Sequence, residues 1–533
     1  MPITILIADK LAPEGATFLK AQPNVEVIEN TGLTGGALVE AISAADGVIV
    51  RSEVKLPEEI LDKAFKNSVC RLRGIARAGV GVDNIDLPTA TKYGIAVMNS
   101  ASASTITTAE HAFALLISLA RNISNSNAVF RDGGWDRANF VGVQLAGRTL
   151  GIVGMGRIGQ AIARRALAFG MEVLGFDPFM KETTALDGNV QMMQSFNDLI
   201  KQVDIVTFHV PRTEETTGML GKEQFAICKN GLLVVNAARG GIVDEEALIE
   251  ALDAGKCGGA AIDVYMTEPP AENHPFRSHA KVLCTPHLGA STVEAQEAVA
   301  VNACASLLRY LKGEGLDSAV NAGGLDLELS NRQRTFVELA QRMITLLGTV
   351  ATISNTNEVT VELRGNATKG KADTIARYAL VALLQHCTDE PVSIINVTAM
   401  ARELGVTAST IVGAIDAVDS LIIKTVGEHE HTIEGTVHAD GLPRITNIEG
   451  RQFDMVPIGH MIALFNDDTP GMVGKVGEVL GGAKVNIDEM VIGHGDDDGV
   501  AMMIIKTNTV PTEDLLSQLS AIDGVSKVAS AVI

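Results

Sequence analysis

Short apolar segments alternate with longer amphipathic ones along the first hundred residues. Each apolar segment is only a few residues long, as a buried β-strand requires, and the segments between them carry apolar residues at helical spacing. Strands that alternate with helices in this way pair in parallel, with helices covering the sheet. The pattern therefore predicts an α/β domain with strands at residues 3–8, 25–29, 47–50, 74–77 and 96–99.

A glycine-rich turn follows a later apolar segment and opens a helix. Residues 150–153 run into Gly154, Gly156 and Gly159, and the next apolar segment ends in Asp177. In a G-x-G-x-x-G turn the first glycine permits the tight turn, the second lets the backbone approach a pyrophosphate, and the third lets helix and strand pack closely. The acid can bind the ribose hydroxyls, and it would repel a 2′-phosphate. We therefore expect a site for NAD.

The hydrophobic pattern continues beyond the glycine turn and its acid. Further strands are expected at 205–209, 232–236, 259–263 and 282–285, and long helices at 107–121 and 293–312. The second long helix is expected to return the chain to the first domain. Ligands in such sheets bind at the carboxyl ends of the strands, so the polar residues there are candidates for the site.

The pattern changes after the glycine-rich segment 321–324. Residues 317–456 are expected to form an α+β intervening domain, with helices at 332–347, 371–386 and 395–404 and strands at 358–364 and 431–437. Residues 457–533 are typical of a strand, helix, strand, strand, helix and strand in that order. This order predicts a ferredoxin-like βαββαβ domain.

Composition and charge narrow the classes of partner. The net charge is −21 at pH 7, whereas nucleic-acid and acidic-membrane partners require clustered Lys and Arg. No apolar segment reaches the roughly 18 residues of a membrane span, and charge interrupts the N-terminal segment too early for a signal peptide. The six cysteines are scattered, with no zinc-ligand spacing. We expect a soluble cytoplasmic protein with no metal site and no nucleic-acid or membrane partner.

Three side chains with complementary chemistry follow predicted strands of the cofactor domain. They are Arg239, Glu268 and His287. Imidazole, with an unperturbed pKa of ~6.5, can accept or donate a proton near neutrality, and an adjacent carboxylate favours its protonated form. A guanidinium can bind a carboxylate through two hydrogen bonds. The three groups therefore suit hydride transfer between NAD and a 2-hydroxy acid, with His287 as the base in oxidation and the acid in reduction.

The sequence blocks around these residues resemble the D-2-hydroxyacid dehydrogenase family. They read N-A-A-R-G at Arg239, D-V-Y-M-T-E-P-P at Glu268 and T-P-H-L-G-A-S-T at His287, and the resemblance covers about residues 70–312. The whole chain resembles the long members of the family, which act on 3-phosphoglycerate. The resemblance implies NAD-dependent oxidation of 3-phospho-D-glycerate to 3-phosphohydroxypyruvate, the first step of L-serine biosynthesis.

The resemblance implies a Rossmann-type NAD-binding domain at 101–291, inserted in a flavodoxin-like substrate-binding domain formed by 1–100 and 292–316. It also implies individual contacts. For the substrate they are Arg51, Ser52, Arg77, Gly79, Val80, Asn99 and, from a partner subunit, Arg137. For the cofactor they are Gly154, Gly156, Arg157, Ile158, Gly159, Asp177, Pro211, Ala237, Asp263, His287, Gly289 and Ala290, with Asp263 at the nicotinamide carboxamide.

The C-terminal segment resembles an ACT domain. The stretches N-D-D-T-P-G-M-V-G at 466–474 and V-N-I at 485–487 carry this resemblance. It implies an amino-acid effector, with L-serine as the candidate and Asp468 and Asn486 as its contacts. It also implies a homodimer or homotetramer, and the preceding region resembles an allosteric-substrate-binding domain.

Two other functions are compatible with the same residues. The first is another D-2-hydroxyacid dehydrogenase, for glycerate or a longer acid, which would keep the trio of Arg239, Glu268 and His287. The distinguishing feature is whether Arg51, Arg77 and Arg137 form a phosphate-sized pocket. An NAD-sensing regulatory protein of the same fold could also keep the trio, and only activity separates it from an enzyme. Formate dehydrogenases carry Gln at the position of Glu268, which argues against formate.

Overall fold

Four sheets organise the chain. The computed structural model describes residues 2–67, 70–180, 182, 184–316, 318–323, 325, 328–414, 418–495 and 499–533. Within these ranges the sheets contain five, eight, six and four strands, and helices pack against each of them. The expected α/β class is confirmed, with a Rossmann-type sheet, an α+β region after it and a ferredoxin-like βαββαβ unit at the end. The expected boundary residue Asp317 lies outside the described residues.

The N-terminal sheet is parallel, and its strand order is second, first, third, fourth, fifth. This is the flavodoxin-like order, in which ligands bind at the carboxyl ends of the strands. Helices Pro13–Lys20 and Val293–Leu311 pack on one face, and Gly35–Ala44, Glu58–Asn67 and Leu87–Lys92 pack on the other. The strands are Ile3–Ile7, Val25–Glu29, Gly47–Val50, Gly74–Arg77 and Ala96–Asn99, as predicted within one residue.

The second sheet is parallel except at one edge, and Thr149–Val153 lies near its centre. This strand pairs with Glu172–Phe176 on one side and Ile205–Phe208 on the other, so the strand order reverses there and leaves a crevice at the carboxyl ends. The other strands are Leu232–Asn236, Cys257–Ile262 and Val282–Cys284 on one side and Val190–Met192 and Thr184–Ala185 on the other. The helices are Thr105–Ala120 and Arg157–Ala168 on one face and Phe196–Ile200, Lys222–Ile227 and Glu245–Asp253 on the other.

Two long helices carry the chain between the first two sheets. Thr105–Ala120 follows the last strand of the N-terminal sheet but packs on the second sheet. Val293–Leu311 follows the last strand of the second sheet and packs back on the N-terminal sheet. The hydroxyl oxygens of Thr107 and Thr292 lie 3.4 Å apart, so the two crossing segments are neighbours.

The third sheet contains more strands than the sequence indicates. The predicted strands correspond to Glu358–Arg364 and Glu430–Val437. The prediction missed four others, which are Thr407–Val412, Ser420–Val426, Pro443–Ile448 and Arg451–Met455. Helices Asn331–Val350, Ala372–Leu384 and Val397–Glu403 pack against the sheet.

The C-terminal sheet is antiparallel and has the predicted βαββαβ order. Its strands are His460–Asp467, Ile487–His494, Val500–Thr507 and Val525–Val532, and its helices are Met472–Gly482 and Glu513–Ser520. The two helices pack on one face of this sheet. Met461, Met502 and Ile504 join the hydrophobic core that helix Asn331–Val350 forms with the third sheet. The two C-terminal domains therefore share a core.

Three short elements complete the described structure. They are helix Ile123–Arg131 and the 3₁₀ turns Ala138–Phe140 and Pro275–Arg277. Among the described residues, no helix combines the length and apolar character needed to cross a membrane.

Candidate active site

The glycine turn joins the central strand of the second sheet to helix Arg157–Ala168. Gly154 has φ of +93°, and a Cβ there would lie 2.5 Å from the carbonyl oxygen of His209. A Cβ on Gly159 would lie 2.0 Å from the Gly154 carbonyl oxygen, so the helix approaches the turn too closely for any side chain. A Cβ on Gly156 would meet no atom within 4 Å. The turn therefore leaves open space at the helix N-terminus, where an anion binds well.

Asp177 lies beside this turn at the end of strand Glu172–Phe176. Its carboxylate accepts backbone hydrogen bonds from Met155 and Phe179, each at 3.0 Å. Each carboxylate oxygen has a second acceptor site, so hydroxyl groups can bind in addition. An acid next to the open space at Gly156 fits the ribose and pyrophosphate of NAD and disfavours a 2′-phosphate.

The remaining cofactor candidates lie along the same edge of the sheet. Arg157 and Ile158 begin the helix, Pro211 and Ala237 follow neighbouring strands, and Gly289 and Ala290 follow His287. Ala237 and Gly289 are buried, whereas Arg157 and Pro211 are exposed.

Gly159→Ala is expected to destabilise the cofactor domain by about 1–3 kcal/mol, because the added methyl group must displace backbone atoms. Gly156→Ala is the matched control. We expect it to leave stability nearly unchanged and to weaken NAD affinity, because its methyl group enters the open space. Thermal unfolding of the apoprotein and a calorimetric NADH titration measure the two effects. Equal losses of stability in the two variants would contradict this interpretation.

His287 and Glu268 form a close pair. His287 Nδ1 lies 2.7 Å from Glu268 Oε2, and Glu268 Oε1 accepts the backbone N–H of Tyr265 at 3.1 Å. Both side chains are partly exposed. No hydrogen bond to His287 Nε2 occurs in the part of the chain that the structure describes. The imidazole is therefore held through one nitrogen, and the other can meet a substrate.

The charge state of Glu268 follows from its surroundings. Burial alone would raise its pKa, but hydrogen bonds from His287 and from the Tyr265 N–H, together with the charge of Arg239, hold the pKa below its usual value. Glu268 is thus an anion at neutral pH. Its negative charge stabilises a proton on the adjacent imidazole.

Arg239 makes an ion pair across the cleft between the first two sheets. Its Nε lies 3.2 Å from Asp83 Oδ2, and its Nη1 donates to the carbonyl oxygen of Ala238 at 2.6 Å. A Cβ on Gly81 would lie 1.9 Å from Arg239 Nη2, so the guanidinium reaches the backbone of the N-terminal domain. Arg239 follows a strand of the second sheet, whereas Asp83 belongs to the first. Sequence reasoning missed Asp83, although it follows Gly79 and Gly81 after a strand end.

Arg51 and Arg77 lie at the ends of adjacent strands in the N-terminal sheet. Burial, and then the charges of Arg239 and Arg51, lower the pKa of Arg77 to about 10, while Asp83 and Asp9 oppose this shift. Arg77 remains charged at neutral pH, and its buried Nε has no hydrogen-bond partner among the described residues. The guanidinium groups of Arg51 and Arg239 thus both act on Arg77, which keeps an unused donor. This arrangement suits an anionic ligand.

The other substrate candidates of this domain surround Arg77. The Asn99 side chain donates to the Val80 carbonyl oxygen at 2.6 Å. A Cβ on Gly79 would lie 1.6 Å from Arg77 Nη1, so glycine makes room for the guanidinium. Ser52 is exposed beside Arg51. These residues therefore shape one surface at the carboxyl ends of the strands.

Arg137 lies apart from this surface. It is exposed in the loop after helix Ile123–Arg131, and no hydrogen bond or ion pair within the described ranges links it to the other substrate candidates. Phe130 and Trp135, in the same segment, are 63% and 78% exposed. Large exposed apolar side chains are typical of subunit interfaces. The role expected for Arg137 in a partner's site stays a prediction.

Asp263 lies in a hydrogen-bonded cluster at the end of strand Cys257–Ile262. It is fully buried, and its carboxylate contacts Thr285 Oγ1, the N–H groups of Leu288 and Gly289, and His111 Nε2. Asp263 thus supports the loop that carries His287. Its expected contact with the nicotinamide carboxamide stays a prediction. Sequence reasoning missed His111, for which the only signal is a histidine beside Glu110 near the start of a mostly apolar helix.

The two effector candidates lie on the surface of the C-terminal domain. Asp468 Oδ2 is 2.8 Å from His494 Nδ1, and the Asn486 side chain donates to Asp488 at 2.9 Å. Both candidates are exposed, and no hydrogen bond joins them to each other in the described chain. Their effector role stays a prediction.

Three family models match successive parts of the chain. The NAD binding domain of D-isomer specific 2-hydroxyacid dehydrogenases matches residues 113–289, the D-3-phosphoglycerate dehydrogenase intervening domain matches 332–449, and the ACT domain matches 460–524. Among solved structures, TT0316 protein from Thermus thermophilus is 35% identical and covers 60% of this chain and 100% of its own, with a TM-score of 0.53. An NAD-dependent formate dehydrogenase from Staphylococcus aureus, in complex with NAD, is 28% identical and covers 59% and 97%, with a TM-score of 0.53.

Curated relatives match over almost the whole length. The D-3-phosphoglycerate dehydrogenases of Archaeoglobus fulgidus and Bacillus subtilis are each 34% identical, and each match covers 98% of this chain and 98% of the relative. The similarity thus spans all three matched regions of this chain and nearly the full length of both relatives. The chain belongs to the D-3-phosphoglycerate dehydrogenases, NAD-dependent members of the D-2-hydroxyacid dehydrogenase family.

Proposed function

We propose that this enzyme oxidises 3-phospho-D-glycerate to 3-phosphohydroxypyruvate with NAD, at the first step of L-serine biosynthesis. The observation that carries the proposal is the grouping of Arg51, Arg77 and Arg239 near the His287–Glu268 pair. This substrate has a carboxylate at one end, a phosphate at the other and a hydroxyl between them. The site has cations for both anions and an acid/base pair for the hydroxyl.

In the proposed reaction, Arg239 binds the substrate carboxylate and fixes C2 in the cleft. His287 Nε2 accepts the proton of the C2 hydroxyl as the C2 hydrogen leaves as hydride. NAD, when bound, supplies the hydride acceptor. The Glu268 anion holds Nδ1 and stabilises the imidazolium that forms. In the reverse direction the same imidazolium returns its proton to the carbonyl oxygen.

The phosphate is assigned to Arg77 and Arg51. The unused Nε donor of Arg77 supports this assignment, because a buried guanidinium loses its water partners and gains most from a charged acceptor. Ser52, Gly79, Val80 and Asn99 shape the wall beside it, and Arg137 of the partner subunit is assigned to the same anion. We propose that residues 1–100 and 292–316 bind the substrate, residues 101–291 bind NAD, and residues 317–456 and 457–533 form the intervening and ACT domains.

The decisive experiment is NAD reduction with 3-phosphoglycerate and with unphosphorylated D-glycerate at matched concentrations. We expect kcat/KM to be roughly 10- to 150-fold higher for 3-phosphoglycerate than for D-glycerate. This ratio corresponds to about 1.5–3 kcal/mol, which is what one or two charge-assisted hydrogen bonds to the phosphate contribute. Equal kcat/KM values would point to another 2-hydroxy acid as the substrate. The absence of NAD reduction with either acid would point to a regulatory protein.

We also propose that L-serine binds the ACT domain and lowers the rate, and that the enzyme works in the cytoplasm as a homodimer or homotetramer. The matching ACT model supports the effector, and the exposed Phe130 and Trp135 support a subunit interface. The described cysteines are free thiols, as expected in a reducing compartment.

L-Serine is expected to inhibit the wild-type enzyme, and Asp468→Ala is expected to weaken this inhibition because it removes an anion that can pair with the ammonium group. Initial rates across a serine titration measure both effects. Glu489→Ala, on strand Ile487–His494 of the same sheet, is the control for lost negative charge. A titration that shows neither binding nor inhibition in the wild-type enzyme would refute the effector proposal.

A further inference from the structure

A largely buried contact joins crossing helix Thr105–Ala120 to the loop that carries His287. His111 lies on the second turn of this helix, and its side chain is 19% exposed. Its Nε2 lies 3.2 Å from Asp263 Oδ1 and 3.5 Å from Thr285 Oγ1. With its proton on Nε2, the ring donates into this cluster.

Asp263 is the centre of the cluster. Its Oδ1 accepts from Thr285 Oγ1 at 2.5 Å and from the Leu288 N–H at 2.8 Å, and its Oδ2 accepts from the Gly289 N–H at 3.0 Å. Burial alone would raise the pKa of Asp263, but the contacts from His111, Thr285 and Leu288 outweigh it and lower the pKa. The carboxylate is therefore charged, and it fixes the two amides that directly follow His287.

The backbone of His287 needs such support. Its φ is +57°, in the left-handed region that residues other than glycine rarely adopt. Such a conformation persists only where the surrounding contacts determine it. The hydrogen bonds from Leu288 and Gly289 to Asp263 are contacts of this kind, and the 2.7 Å contact between His287 and Glu268 depends on the same backbone.

We infer that His111 is a positioning residue for the reaction, because it partners the buried Asp263 carboxylate that fixes the His287 loop. This inference rests on the acid/base role proposed for His287. Helix Thr105–Ala120 then has two functions. It connects the two domains, and it aligns the reacting imidazole with the cleft.

The test compares His111→Leu with His111→Gln. The leucine cannot donate to Asp263, so kcat is expected to fall by roughly 10- to 100-fold, while KM for 3-phosphoglycerate changes by no more than about threefold. The glutamine amide can donate to Asp263, and we expect it to restore most of kcat. A His111→Gln enzyme with a kcat as low as that of His111→Leu would overturn the inference.

His279→Leu is the matched control. His279 is 17% exposed and lies 3.3 Å from Asp253, and it precedes the last strand of the same sheet at the end opposite to His287. We expect this variant to lose stability without losing kcat. A comparable fall in kcat for His279→Leu would show that any lost histidine–carboxylate pair has this effect, and it would also overturn the inference.

Hydrogen exchange separates this inference from the proposed function, because it needs no substrate. In the apoprotein, the amides of Leu288 and Gly289 are expected to exchange about tenfold faster in His111→Leu than in the wild type or the control. Unchanged exchange would overturn the inference whatever the substrate is. Failure of the proposed function would instead appear as a wild-type enzyme inactive on 3-phosphoglycerate, and kcat would then be compared on the 2-hydroxy acid that the wild type does oxidise.

Discussion

His287→Ala is expected to lower kcat by about 10²- to 10⁴-fold, the usual contribution of a positioned acid/base group. Glu268 Oε2 holds Nδ1 at 2.7 Å, so Nε2 is the nitrogen left for the substrate hydroxyl, and nothing in the loop can replace it. NAD affinity is expected to stay within about a factor of three, since the glycine turn and Asp177 lie elsewhere on the sheet edge. Steady-state rates in both directions and an NADH titration measure the two quantities.

The matched control is Glu268→Gln, which can keep a hydrogen bond to Nδ1 but loses the charge. Its expected loss in kcat is smaller than that of His287→Ala, because the base remains while the imidazolium loses its stabilising anion. The kcat of the double variant is expected to be no lower than that of His287→Ala alone, because both residues act on the same proton transfer. A His287→Ala enzyme with nearly wild-type kcat would contradict the acid/base assignment.

Most of the first sheet could be predicted from the sequence because its inner strands are short, apolar and buried. Strands Gly47–Val50, Gly74–Arg77 and Ala96–Asn99 begin and end where the pattern indicates. A strand covered by helices on both faces forms a continuous apolar run, and turn residues mark its ends.

The third sheet was harder to predict because its strands are less apolar. Thr407–Val412 is an edge strand without a fully buried residue, so the sequence carries no alternation to detect. Ser420–Val426 does alternate, but its partly exposed positions include Ser, Lys and Val, which weakens the contrast between its two faces. Pairing with neighbouring strands determines these elements, and such pairing is not a local property of the sequence.

The residues of the candidate site also fall into those that the sequence predicts and those that it does not. Arg239, Glu268 and His287 could be selected because the ends of parallel strands meet at one edge of a sheet. His111 and Asp83 act through contacts with distant parts of the chain, at Asp263 and Arg239, and no local pattern reports these contacts. Asp263 could be selected as a strand-end acid, but its contacts with His111, Thr285 and the Leu288 N–H could not be predicted from the sequence.

Arg239→Ala and Arg77→Ala are expected to differ in which substrates they affect. Arg239→Ala removes the carboxylate contact that every 2-hydroxy acid shares, so kcat/KM is expected to fall for phosphorylated and unphosphorylated acids alike. Truncating one partner of a desolvated charge pair costs about 2–5 kcal/mol, or roughly 30- to 5,000-fold. Arg77→Ala is expected to lower kcat/KM by roughly 10- to 150-fold for 3-phosphoglycerate and to leave D-glycerate nearly unchanged.

Two further variants separate loss of the phosphate contact from loss of charge or fold. Arg73→Ala removes a cation at the start of the strand that Arg77 ends, and its side chain is 51% exposed near Asp46. It is expected to leave the preference for 3-phosphoglycerate intact. Arg77→Lys keeps the charge in the buried site and should recover part of that preference, but not all of it, because an ammonium cannot bind two phosphate oxygens in the same plane. Equal losses for both substrates in Arg77→Ala would remove Arg77 from the phosphate site, and the preference for the phosphorylated acid would then have to come from Arg51 and the partner's Arg137.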